Sequence, residues 1–205
     1  MQGTLDHKHP EAVDAVIFAA KSGVLKARRG LIDCLDGRVR RRRAGVAATG
    51  AVLSEVESAL YTESDANERA LQLGKVQNLR VGAKAFDGVH LRAAEVLSFW
   101  AQVGRPTRAK GFVEGRELRQ GCLIPTLAGG LCQLSNSLYQ AAKQAGCEII
   151  ERHGHTAPIP NSPFPPGEDA TVFWNYVDLR FRARRPVVLR VRLTGESLIV
   201  RVEAA

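Results

Sequence analysis

Leu127-Ala128-Gly129-Gly130-Leu131-Cys132-Gln133-Leu134-Ser135-Asn136-Ser137-Leu138-Tyr139 is the stretch on which the reading of this chain turns. A glycine pair leads into a cysteine, and the cysteine opens a helix. Gly146 stands where a C-cap is needed, so the helix is expected to end near Ala145. Leu131, Leu134, Leu138, Ala141, Ala142 and Ala145 fall on one side at helical spacing. Cys132 falls on the other side, with Asn136, Tyr139 and Lys143. A thiol in the first turn meets unpaired N–H groups and the positive end of the helix dipole, which favours thiolate. Glycines ahead of it permit close approach of a substrate or of backbone donors. That arrangement presents a nucleophile. The plainer alternative is a tight loop-to-helix turn with an unreactive thiol, and the residues alone leave both open.

Working outward, the C-terminal side reads as β structure. Cys147 to Arg152 suggests a strand that ends at His153-Gly154-His155. The two histidines share parity, so an extended backbone points both to one side. Ala157 to Gly167 holds five prolines and can be neither helix nor central strand. It reads as a long loop at the rim of a site. Val172, Trp174 and Tyr176 alternate as in a strand, with a bend near Asp178, which is assigned a structural role. Leu179, Phe181 and Ala183 then alternate with arginines. Leu189, Val191 and Leu193 follow, and Leu198, Val200 and Val202 return after a turn at Thr194 to Ser197. The expected result is an antiparallel tail with an Arg-rich outer face.

On the N-terminal side, residues 9 to 36 suggest helix. The run Arg38 to Arg43 lacks interleaved aromatic residues and reads as a solvated connector. Leu53, Val56 and Leu60 suggest a short helix. Asp65-x-x-Glu68 resembles a capping box that starts a longer helix, ending near Phe86. Val89 to Arg92 alternates like a strand. Gly104 to Gly121 reads as loops and short strands crossing near the Cys132 turn, where Arg116 could meet a carboxylate or phosphate. The fold class is α+β. A helical N-terminal segment is expected over 1–72, followed over 73–205 by a compact domain with the Cys132 helix packed on a mostly antiparallel sheet.

Composition narrows the function classes. The chain has 205 residues, 45% hydrophobic and 24% charged, which is globular and large enough to bury a core without disulfide staples. The net charge of +8 favours anionic partners in general, but nucleic acid is not the expected one. Cys34, Cys122, Cys132 and Cys147 follow no CxxC spacing, which argues against structural zinc. No apolar run reaches the roughly 20 residues of a membrane span. Met1 to Lys8 carries no apolar h-region. The expectation is a cytoplasmic protein with reduced thiols. No cofactor is expected.

The Gly-Gly-Leu-Cys-Gln-Leu-Ser-Asn-Ser-Leu-Tyr block resembles the signature of the VanW family. Other blocks agree, in order: Lys75-Val76-Gln77-Asn78-Leu79-Arg80, Leu97-Ser98-Phe99-Trp100, Gly111-Phe112-Val113-Glu114-Gly115, Glu151-Arg152-His153-Gly154-His155, Asp169-Ala170-Thr171-Val172 and Tyr176-Val177-Asp178-Leu179. The resemblance covers about residues 50 to 200. Ala128 stands where the family usually has a third glycine, and Ala93-Ala94 where it usually has Pro-Gly. The resemblance implies a link to glycopeptide resistance or cell-envelope biology.

A thiol nucleophile needs a base, and the base needs a third group to fix its tautomer. Cys132, then His153 or His155, then Asp169 or Asp178, follow in the order seen in papain-like and transglutaminase-like enzymes. His155 is the more typical histidine of the family block, so the resemblance assigns Cys132, His155 and Asp169 as the catalytic set. Gly129, Gly130, Gln133, Asn136, Tyr139, His153 and Arg116 are the expected substrate-binding residues, with the Gln133 N–H as an oxyanion donor. The chemistry expected is thiol-dependent hydrolysis or acyl transfer on an amide or peptide-like ligand derived from the cell envelope. Two competing classes are a non-catalytic binding module and an anionic-polymer binder. A metal site built from His153, His155, Cys132 and a carboxylate is the less favoured use of the same residues.

Overall fold

The computed structural model describes residues 12–37, 39–45, 50–61, 69–119, 122–154 and 167–205. The predicted capping box at Asp65–Glu68, His155 and nearly all of the proline-rich loop lie outside the described residues. The architecture is α+β, as the sequence predicts. Helix α1 (Ala12–Asp36) is followed by strand β1 (Val52–Ala59), helix α2 (Arg69–Ala83), and strands β2 (His90–Leu91) and β3 (Val96–Ser98). Then come α3 (Phe99–Val103), β4 (Glu114–Arg119), β5 (Cys122–Leu127), α4 (Leu131–Gln144) and β6 (Glu148–Glu151). Strands β7 (Arg180–Arg182), β8 (Val187–Leu193) and β9 (Ser197–Ala204) complete the chain.

The strands form a four-stranded sheet ordered β1-β9-β8-β2, a three-stranded sheet β3-β7-β6, and the hairpin β4-β5. Every pairing is antiparallel. Period-two alternation places Leu189, Val191, Leu198, Val200 and Val202 in the core, although the neighbouring Val188, Ile199 and Glu203 are buried as well. Helices α2 and α4 pack on this sheet. The apolar side of α4 is buried as its spacing predicts, with Leu134, Leu138, Ala141 and Ala142 at or near zero exposure. Leu79, Phe86, Phe99 and Phe181 complete the core around them.

Three expectations are corrected. The segment carrying Leu53 and Val56 is strand β1, not a short helix. Its inward residues include Ser54 and Ser58, which bond to α4: Ser54 Oγ donates to the Ala141 carbonyl at 2.7 Å, and the Ser58 and Ser137 hydroxyls are 3.1 Å apart. Small polar residues on the buried face hide the strand period. Phe173 to Val177 is a tight turn closed by reciprocal backbone bonds of 2.9 and 3.1 Å, not a strand. Trp174 leaves that turn to pack edge-on against Trp100 at 5.3 Å. The tail has an Arg-rich outer face only in part: Arg184 and Arg192 are exposed, but other arginines are paired. Arg180 is buried and paired with Asp178 and Asp33, Arg182 reaches Glu148 at 3.0 Å, and Arg190 reaches Glu203 at 3.2 Å.

The arginine run after α1 is partly anchored. Arg42 exchanges bonds with Gln102 through its backbone and reaches Glu95 at 2.7 Å. Asp178 has the structural role expected of it. Its carboxylate accepts from Ser98 Oγ, the Trp100 and Leu179 amides and Arg180 Nε, tying the end of the turn to α3. Burial pushes this carboxyl upward against the pull of those donors.

Candidate functional site

Hairpin β4-β5 delivers the chain into the turn before α4. Ala128 has φ of 66° and Gly130 has φ of 95°, so the backbone reverses through two left-handed positions. Asn78, fully buried on α2, clamps the turn. Its carboxamide accepts from the Val113 amide at 2.9 Å and donates to the carbonyls of Val113 and Gly129 at 3.0 and 2.9 Å. The glycines serve backbone crossing. A Cβ on Gly129 would lie 2.3 Å from the Gly115 carbonyl oxygen, and one on Gly130 would lie 2.2 Å from Lys75 Cγ. The space that the sequence reading assigns to a substrate is therefore occupied at these two residues by β4 and by the stem of Lys75. The Gln133 N–H donates to the Gly130 carbonyl at 3.1 Å, and the Gln133 side chain reaches Ser58 and Ala59 on β1. Arg116 lies on β4 across from Pro125, half-buried.

Cys132 is half-buried in the first turn of α4. Its Sγ is 3.3 Å from Thr171 Oγ1 and donates toward the Val172 carbonyl at 3.7 Å. One turn on, the buried Asn136 carboxamide accepts from the Ala170 amide. Further along, Gln140 donates to the Glu168 carbonyl at 2.6 Å and Lys143 pairs with the Glu168 carboxylate at 2.7 Å. Glu168 to Val172 thus runs antiparallel along the polar side of α4. Tyr139 is buried there, with the Arg152 guanidinium 5.5 Å from its ring centre. Arg152 also donates to the carbonyls of Gly167 and Asp169, at 2.9 and 2.7 Å. The Lys143 hydrogen bond holds the Glu168 carboxyl below its ordinary value.

The end of β6 reaches the same segment. The Thr171 amide donates to the His153 carbonyl at 2.7 Å. A Cβ on Gly154 would lie 3.2 Å from Asp169 Oδ1, so the Gly154 backbone passes against the carboxylate of a buried residue. The His153 ring turns to Glu151 Oε1 at 3.1 Å. Burial would raise the Glu151 carboxyl, but bonds from Arg29 and His153 and the charges of Arg29 and Arg180 outweigh it and hold it low. Cys132, Asn136, Tyr139, Asp169 and the His153–Gly154 backbone are brought together. The Gln133 side chain and the His153 ring have their described contacts elsewhere. Sequence reasoning missed Thr171, the side chain hydrogen-bonded to the sulfur, although it stands inside a quoted block.

Comparison with known proteins agrees with this core. A family model described as "VanW like protein" matches residues 74–203. The chain belongs to the VanW family. It is 37% identical over 125 residues to the uncharacterized protein YoaR of Bacillus subtilis (strain 168), covering 60% of this chain and 41% of that protein. It is 33% identical over 134 residues to the vancomycin B-type resistance protein VanW of Enterococcus faecalis (strain ATCC 700802 / V583), covering 64% of this chain and 49% of that protein. The chain therefore spans less than half the length of these relatives. No solved structure matches. The VanW match runs from α2 to β9 and contains every described site residue. Among the described residues no group of metal-ligating side chains converges, and no helix is long and apolar enough to cross a membrane.

Proposed function

We propose that this VanW-family chain serves glycopeptide resistance, as the name of its Enterococcus relative suggests, or another cell-envelope process. As chemistry we assign thiol-dependent hydrolysis or acyl transfer on an amide or peptide-like substrate. The observation that carries the reading is the meeting of Cys132 with the Asp169–Val172 segment, while Gly154 lies against the Asp169 carboxylate. In this scheme His155 takes the Cys132 proton as the sulfur attacks the carbonyl carbon. The same proton goes to the departing amine, and the thioester passes its acyl group to water or to an amine acceptor. Asp169 fixes the His155 tautomer.

A second reading has its own support. Gly129 and Gly130 are closed over by β4 and Lys75, and the Gln133 N–H is taken by Gly130. These contacts fit a rigid recognition turn in a non-catalytic binding module. Alkylation rates separate the two. Under the catalytic reading Cys132 reacts faster at neutral pH than exposed Cys34 or half-buried Cys147, whose thiol burial pushes up. His155→Ala slows Cys132 alone. Equal rates at Cys132 and Cys34, or an unchanged rate in the His155 variant, would hand the site to the binding-module reading.

A further inference from the structure

Helix α1 turns one side to the body of the protein and leaves the other bare. At about 100° per residue, Ser22, Arg29 and Asp33 share the inward side. Ser22 is buried, Arg29 bonds to Glu151, and Asp33 bonds to Arg180. On the opposite side Ile17, Val24, Leu31 and Leu35 follow one another at helical spacing and are 46, 70, 64 and 78% exposed. Leu25 and Ile32 extend this patch toward the body, both also exposed. A stripe of large apolar side chains on a helix facing water marks a contact surface. Lys21 and Arg28 are exposed within the same arc. Among the described side chains of α1, the one carboxylate is Asp33, and it is turned inward.

The charge decides what covers this face. Helix α1 carries four Lys and Arg residues against three aspartates, and the connector that follows adds five arginines from Arg38 to Arg43 with no carboxylate. A second copy would bring Lys21 and Arg28 against a surface of the same sign, with no described outward carboxylate to receive them. An anionic lipid surface receives both parts. The apolar stripe enters the acyl boundary, and the Lys and Arg stems extend to the headgroup phosphates. We propose that α1 is an interfacial helix that docks the protein on an anionic bilayer. The inference is independent of the Cys132 chemistry.

The test is sedimentation of the full chain with vesicles of phosphatidylcholine, alone or mixed with phosphatidylglycerol, at two salt concentrations. The expected result is at least tenfold stronger partitioning onto the mixed vesicles, weakening as salt rises. Val24→Glu with Leu31→Glu, at two outward positions, should cut that partitioning at least tenfold while circular dichroism stays unchanged. Lys21→Glu with Arg28→Glu should remove the preference for the anionic lipid. Equal binding to both vesicle types overturns the proposal, as does no binding to either, or full binding by the Val24/Leu31 variant. A lipid-free dimer that the same variant dissociates also overturns it, because a second copy then owns the face.

Discussion

Arg180 on β7 reaches Asp33 near the end of α1, across 147 residues of sequence, with one guanidinium nitrogen 2.8 and 2.7 Å from the two carboxylate oxygens. Its Nε simultaneously holds Asp178 at 2.8 Å. The Arg180 side chain is 8% exposed and the Asp178 side chain is fully buried. Removing Arg180 leaves a buried carboxylate short of a cation. Arg180→Met should therefore cost about 3–5 kcal/mol in urea unfolding. Asp33→Asn removes the partly exposed partner and should cost about 1 kcal/mol or less. Comparable losses from both changes would place the weight of the cluster on α1 docking instead of on Asp178.

A neighbouring pair sets a pH dependence. Arg29 grips Glu151 with two bonds, of 2.8 and 2.5 Å. The folded Glu151 carboxyl lies below its ordinary value of 4.5. The unfolded chain then binds the proton more readily than the folded one. The stabilisation is complete above the ordinary value and is lost as pH falls through the folded value. Arg29→Gln should be less stable than the parent at neutral pH, and the gap should close below pH 4.5. A gap that is constant down to full acid unfolding would show that Arg29 acts through packing alone.

Two alanines are held in left-handed backbone conformations. Ala94 and Ala128 both have φ of 66°. They are the positions at which the sequence reading notes alanine where the family usually has glycine. The left-handed conformation costs a non-glycine residue roughly 1–2 kcal/mol, partly offset by the greater unfolded entropy of glycine. Ala94→Gly and Ala128→Gly should each raise stability by about 0.5–1 kcal/mol. Gly129→Ala should act oppositely, costing about 1–3 kcal/mol, because its Cβ would meet the Gly115 carbonyl oxygen at 2.3 Å. Thermal unfolding of the three variants checks the signs.

These positions also show what the sequence made legible. Helix α4 was readable because its leucines and alanines keep one helical side. Strands β8 and β9 were readable because apolar residues recur at every second position, Leu189, Val191 and Leu193 in one and Leu198, Val200 and Val202 in the other. Leu138→Ala, at 1% exposure, accordingly should cost about 2–5 kcal/mol. Strand β1 was not legible, since its buried Ser54 and Ser58 carry no hydrophobic signal and gain their meaning from α4. At the site, the polar side of α4 was correctly separated from the apolar side. What covers it was not visible, because Thr171, Ala170 and Glu168 meet α4 only through closure of the chain. Arg180 reads as one more exposed arginine of an alternating strand until Asp33 arrives from the far end of the sequence.

The bond from Ala170 to Asn136 gives the sharpest test of what the covering segment does. The Asn136 carboxamide accepts from the Ala170 amide one turn along α4 from Cys132, and both partners are buried. Asn136→Ala leaves that amide without its acceptor, at about 1–3 kcal/mol. Hydrogen exchange at Ala170 and Thr171 should rise while the sheet amides of β8 and β9 stay protected. The consequence for Cys132 depends on the role of the segment. A mere cover, once loosened, admits reagent, and alkylation of Cys132 accelerates at every pH. A segment that carries Asp169 and holds Thr171 against the sulfur instead organises the thiol. Loosening it should then slow alkylation at neutral pH, although the sulfur is more accessible. At strongly alkaline pH, where thiols ionise without help, the order should reverse and the variant should react faster. That crossing of the two pH profiles is the expected outcome. Parallel profiles, with the variant faster throughout, would reduce the segment to a lid of packing and remove the structural basis for a Cys132–His155–Asp169 mechanism.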